Sequence, residues 1–92
     1  MMKAVWKYLI EEAQDKFEIK MPVGAEILCV QMQHEKPCIW ALVDTNEAAL
    51  TEARAFRMAG TGHPIDDNLN LIYIGTIQMF GGDLILNVFE MV

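Results

Sequence analysis

The chain has 92 residues, enough for one domain spanning 1–92 and too few for two. It carries 13 acidic and 7 basic side chains, a formal net charge of -6. That balance argues against duplex DNA or extended RNA, whose binding rewards many phosphate-neutralising cations, but leaves room for a small anion held by two or three local ones. Hydrophobic residues make up 53% of the chain, rich for a domain small enough to bury only about two-thirds of its unfolded surface, so a homo-oligomer is expected to cover the excess.

The opening segment, Met1 to Tyr8, lacks the long apolar core of a signal peptide. No apolar run approaches the length needed to span a bilayer, so a cytosolic setting without membrane contact is expected. From Val5 to Ile10 the pattern predicts a strand, with Trp6, Tyr8 and Ile10 on one face and Val5, Lys7 and Leu9 on the other. Glu11 to Lys16 is polar and reads as a loop or a single helical turn. Phe17, Ile19 and Met21 then alternate with Glu18 and Lys20, a half-buried strand closed by the turn Met21-Pro-Val-Gly24.

Glu26 to Gln33 is the next strand, with Leu28, Val30 and Met32 expected on one face and Ile27, Cys29, Gln31 and Gln33 on the other. The polar link His34-Glu-Lys36 and the apolar run Pro37 to Asp44 complete a hairpin. Asp44 to Thr51 breaks the alternation; its Asp/Thr/Asn start suits the cap of one or two helical turns, and an open loop fits equally. Glu52 to Ala59 returns to a strand, with Arg54, Phe56 and Met58 on one side. Residues 60–69 are irregular, Asn70 to Phe80 is strongly β-prone, Gly81-Gly82 marks a tight turn, and Asp83 to Phe89 closes a second hairpin. Seven short strands predict an all-β, mainly antiparallel fold: a small sandwich or partly open barrel with at most one short helix. Its strand edges are natural places for a second chain to pair.

The chemistry concentrates in Arg54-Ala-Phe-Arg57-Met-Ala-Gly60-Thr61-Gly62-His63-Pro64. Glycines let main-chain N–H groups approach a ligand, and such groups beside guanidiniums hold phosphate. The same residues also fit an ordinary strand end with two solvated arginines. His63 could act as a base, a metal ligand or a phosphate donor, but a metal site needs three or four convergent ligands. The other histidine, His34, falls in a hairpin loop and no CxxC or HxxxH spacing occurs, so neither a metal nor a cofactor is expected.

Cys29 and Cys38 lie in separate apolar runs and could face each other across the hairpin; reduced core thiols are the favoured reading. A Cys38–His63 nucleophile would need an exposed, activated thiolate, and Cys38 sits where packing is expected. Asp66 and Asp67 read as turn chemistry. With no catalytic set, the chain is not expected to be an enzyme. Trp6, Tyr8, Trp40, Phe56 and Tyr73 offer stacking faces, though most rings in a small β domain are core. Tyr8 and Tyr73, with their polar tips, suit a rim or an interface.

Taken in order, Val5-Trp-Lys-Tyr8, Met21-Pro-x-Gly-Ala-x-Ile-Leu28, Val30-Gln-x-Gln33, Lys36-Pro-Cys-Ile-Trp-Ala-Leu-Val-Asp44, Phe56-Arg57, Gly60-Thr-Gly-His-Pro-Ile65 and Tyr73-Ile-Gly-Thr76 resemble a small protein family common in tailed phages and prophages. The resemblance spans nearly the whole chain and extends to the phage anti-CBASS nucleotide sponges. It implies a phage protein, acting in the host bacterial cytosol, that sequesters a cyclic dinucleotide immune signal without cleaving it, as a homo-oligomer with a tetramer favoured. In that reading Arg54, Arg57, Gly60, Thr61, Gly62 and His63 hold the phosphates, and rings such as Trp6, Tyr8 and Tyr73 stack on the bases. The alternative is a non-catalytic interaction module that binds a host defence or replication protein through a strand edge or an apolar patch.

Overall fold

Two-residue alternation between apolar and polar side chains is what a half-buried strand requires, and the chain supplies it seven times. The computed structural model describes residues 2–11 and 14–92, with Glu47 described by its backbone. Its strands are β1 (Lys3–Leu9), β2 (Lys16–Pro22), β3 (Glu26–Gln33), β4 (Lys36–Asp44), β5 (Thr51–Gly60), β6 (Leu71–Met79) and β7 (Leu84–Met91). Every pairing is antiparallel, in two sheets with strand orders β1-β4-β3 and β2-β5-β7-β6. Among the described residues the sheets do not close into a barrel: β1 and β2 remain open edges, while β3 and β6 approach without forming a ladder. At that approach Gly75 packs closely: a Cβ there would lie 3.0 Å from Val30 Cγ1, tighter than most such contacts.

The core sits between the sheets. Ile39, Ala41 and Val43 of β4 face inward, opposed by Phe56 and Met58 of β5, Ile77 of β6 and Val88 of β7, with Met21 and Val30 filling the sides. Fully burying side chains of this size contributes about 1.5–3 kcal/mol each. Trp6 and Tyr8 pair with Ala41 and Ile39, so they belong to the inward row of β1.

One local expectation changes, in β3. The register shifts there between Ile27 and Cys29. The extra residue of this bulge moves Ile27 onto the face of Val30 and leaves Leu28 exposed, so Leu28, Val30 and Met32 do not share one face. The β6–β7 connection turns at Gly81-Gly82 as expected, with φ 67° and 97°, and Phe80 before them is also in the left-handed region at φ 54°. The break after β4 is a single 3-10 turn, Thr45–Glu47, in which the Asp44 carboxylate accepts a bond of 3.0 Å from Asn46 N–H. Of the expected link over 11–16, Glu12 and Ala13 lie outside the described residues. Cys29 stands opposite Trp40 and Cys38 opposite Gln31, so the thiols do not face each other and both are free. No helix among the described residues is long and apolar enough to cross a membrane.

Candidate functional site: the outer face of the four-stranded sheet

Alternation along β5 separates its two arginines. Arg54 falls in the inward row with Phe56 and Met58; Arg57 falls in the outward row with Ala55 and Ala59. Inside, Arg54 is fully engaged. Its Nε and Nη2 donate to the two oxygens of Glu90 on β7 at 2.5 and 3.1 Å, and Nη1 donates to the carbonyl of Ala25 at 2.6 Å. Glu52 lies a further 3.9 Å from Nη1 and accepts from Gly24 N–H at 3.0 Å. The bond to Glu90 is the main reason the Arg54 pKa is raised, outweighing burial, so this guanidinium stays charged. The fork-to-fork pair binds β5, β7 and the start of β3 together.

Outside, Arg57 holds the segment that follows its own strand. Nη1 donates to the carbonyls of Met58 and Asp15, and Nη2 donates to that of Pro64 at 3.4 Å. A guanidinium has five N–H donors; among the described residues these contacts use three and leave Nε–H and one Nη2–H on a half-exposed side chain. The segment it holds is a tight turn: His63 N–H donates to Gly60 C=O at 3.0 Å, and Gly62 has φ 86°. That is the positive φ a type II turn demands at its third residue, where glycine carries no Cβ penalty.

The turn delivers Thr61 to a polar row on the same face. Asn87 Nδ2 donates to Thr61 Oγ1 at 3.2 Å and to Ala59 C=O at 3.1 Å. Thr76 Oγ1 donates to Asn87 Oδ1 at 2.9 Å, and the hydroxyls of Thr76 and Tyr73 lie 2.5 Å apart. Tyr73 is well exposed and meets Phe89 edge to face, with ring centroids 5.6 Å apart. Phe89 stands directly opposite Arg57 in the β5–β7 ladder. One outward face therefore carries a guanidinium with spare donors, a row of hydroxyl and amide groups, and an aromatic pair.

Of the nine residues nominated by sequence, Arg57, Gly60, Thr61, Gly62 and Tyr73 gather on or at the rim of this face. His63 is carried round the turn to the other side of the strand end. Its ring lies over Gly60, where an added Cβ would stand 2.7 Å from Nδ1. Arg54 is on the inward side, bound to Glu90. Trp6 and Tyr8 belong to the other sheet, with Tyr8 packed against the core and its phenol pKa pushed up by that burial. Thr76, Asn87 and Phe89 join the face from outside these nine residues. The available signal is an asparagine within the apolar run Leu84 to Phe89, but its neighbours follow only from the register of β6 on β7, which shifts between Tyr73 and Gly75.

Two antiparallel sheets displaying an aromatic-and-amide face define a small all-β sandwich protein. The chain belongs to the family described as domain of unknown function DUF7352, which it matches over residues 1–92. No curated protein matches it, and no solved structure does.

Proposed function

We propose that this protein is a non-catalytic binder of a small anionic nucleotide, with a cyclic dinucleotide immune signal as the ligand and sequestration without cleavage as the outcome. The carrying observation is the juxtaposition of Arg57, Thr61, Asn87 and Thr76 with the exposed Tyr73–Phe89 pair on one sheet face. Nε–H and Nη2–H of Arg57 address a phosphate by charge-assisted hydrogen bonds. Tyr73 offers its ring to a base, a contact worth about 1–3 kcal/mol and tolerant of base identity. Asn87 and Thr76 supply donors and acceptors that can exchange their mutual bonds for bonds to a base edge or a ribose hydroxyl. The resemblance to phage anti-defence sponges supports the choice of ligand, the bacterial cytosol as the place of action and a tetramer as the assembly.

The test is a panel of cyclic di- and trinucleotides, read by melting temperature and then by chromatography of heat-released ligand. A rise in melting temperature with at least one cyclic dinucleotide, recovery of that ligand intact, and loss of the rise in Tyr73→Ala are expected. No shift across the panel overturns the reading, and recovery of degraded ligand replaces it with an enzyme.

A second reading, a module that binds a host protein, draws on a different surface. The outward face of the three-stranded sheet carries Val5 and Leu9, which are 55% and 40% exposed, beside half-buried Trp40 and Leu42. A stoichiometric host partner that is lost on Val5→Asp and kept on Arg57→Ala favours this second reading over the first.

A further inference from the structure

The free edge of β2 carries a charge pattern that matches itself. Among the described residues β2 ends its sheet, with β5 on one side and no strand on the other. Met58 N–H donates to Asp15 C=O and Val23 N–H donates to Leu50 C=O, both at 2.9 Å. In an antiparallel ladder such bonds recur on every second residue. The odd-numbered residues from Asp15 to Val23 therefore bond toward β5, and the main-chain groups of Lys16, Glu18 and Lys20 point outward. Their side chains are exposed, and the strand is closed by Pro22, which has no N–H to offer.

We infer that this edge pairs with the same edge of a second copy, antiparallel about a twofold axis through Ile19. That is the register in which β2 is paired along its whole length, Lys16 to Pro22. It sets Glu18 against Lys20 of the partner subunit, and by symmetry Lys20 against Glu18 of the partner subunit, so two opposite-charge pairs form from one geometry. A slip of one residue at the axis in either direction places like charges opposite each other: Glu18 on its own copy and Lys16 on Lys20, or Lys20 on its own copy. The other open edge, β1, turns Lys3, Val5, Lys7 and Leu9 outward and holds no acid, so no self-pairing register there gains an ion pair. A second observation points the same way. Beside β2, at the open side of the sandwich, Leu9, Ile10, Phe17 and Ile19 line a hollow of about 380 Å³ whose polar wall is Glu11, Gln14 and Glu18. The twofold register stacks Ile19 on Ile19 of the partner subunit at the rim of that hollow, extending the inward apolar row of β2 across the seam.

Sedimentation equilibrium on the full chain tests this, with wild type, Glu18→Lys, Lys20→Glu, the double variant and Glu18→Pro. Wild type associates. Each single reversal weakens association by about tenfold or more, because the symmetry turns two attractive cross-strand pairs into two repulsive ones. The double variant restores association, and Glu18→Pro, which removes an N–H unused within its own chain, weakens it. Circular dichroism of the exposed-edge variants reports an unchanged fold. A monomeric wild type, single reversals without effect, or a double variant no better than the singles would overturn the pairing. None of these outcomes bears on nucleotide binding at Arg57, which is measured separately.

Discussion

Arg54 and Arg57 sit three residues apart on one strand and do opposite things. Arg54 is turned inward, with a side chain 17% exposed, and its charge is matched by a carboxylate that is 9% exposed. Arg57 is turned outward and bonds only to neutral carbonyls, so its charge is not cancelled by any carboxylate among the described residues. The difference is one of parity. An odd step along a strand reverses the face, and with it the partner, the solvent and the role. An anion-binding cation must keep its charge unmatched until the ligand arrives, and Arg57 meets that condition where Arg54 does not.

Substitution separates the two roles most sharply through stability. Arg54→Ala leaves Glu90 buried and unpaired, which costs about 3 kcal/mol and lowers the melting temperature by roughly 15 °C for a domain of this size. Replacing the pair together, Arg54→Met with Glu90→Leu, recovers most of that loss, because an apolar pair has no charge to desolvate. If Arg54→Ala melts like wild type, the inward arginine is not structural and the contrast fails. Arg57→Ala is expected to do the reverse: melting changes little, while affinity for the nucleotide falls by about 2 kcal/mol, roughly thirtyfold, as measured by calorimetry. Gly62→Val tests the turn between them. Nothing lies within 4 Å of the added Cβ, so its cost is backbone strain at φ 86°, about 1 kcal/mol, with ligand affinity falling as Thr61 shifts.

The smallest expected effect lies at alkaline pH. Burial raises the Tyr8 phenol pKa above its ordinary 10.0. The native state therefore holds this proton more tightly than the unfolded chain does. The associated stability is fully present below pH 10 and is lost as pH rises through the native value. Tyr8→Phe flattens that part of the alkaline melting profile. An alkaline slope that Tyr8→Phe does not reduce would place its source elsewhere.

The strands were legible because period-two alternation is a local property. Phe17, Ile19 and Met21 announce β2 without help from any distant residue, and Glu26 to Gln33 agrees with β3 end to end. What stayed hidden depends on partners. The bulge at Ile27/Cys29 reverses the parity of Glu26 and Ile27 against the rest of the strand, and only pairing with β4 reveals it. Arg54 reads as a candidate ligand from sequence because Glu90 is 36 residues away on β7, a strand that reaches β5 by skipping over β6 in the sheet order. The row Tyr73–Thr76–Asn87–Thr61 exists only once the second hairpin takes its shifted register and the Gly60–His63 turn folds back. Trp6 and Tyr8 offer flat rings, and ring chemistry alone does not say which sheet they occupy.

The most direct measurement is a titration of the 15N-labelled protein with a cyclic dinucleotide, followed through its backbone amide and arginine Nε resonances. The expected result is saturable shifts at Arg57 Nε, Thr61, Gly62, Tyr73 and Asn87, with Arg54 Nε, Trp6 and Tyr8 unmoved. Shifts confined to the three-stranded sheet, or a spectrum indifferent to the ligand, would contradict the assignment of the outward face of β5, β6 and β7 as the binding surface.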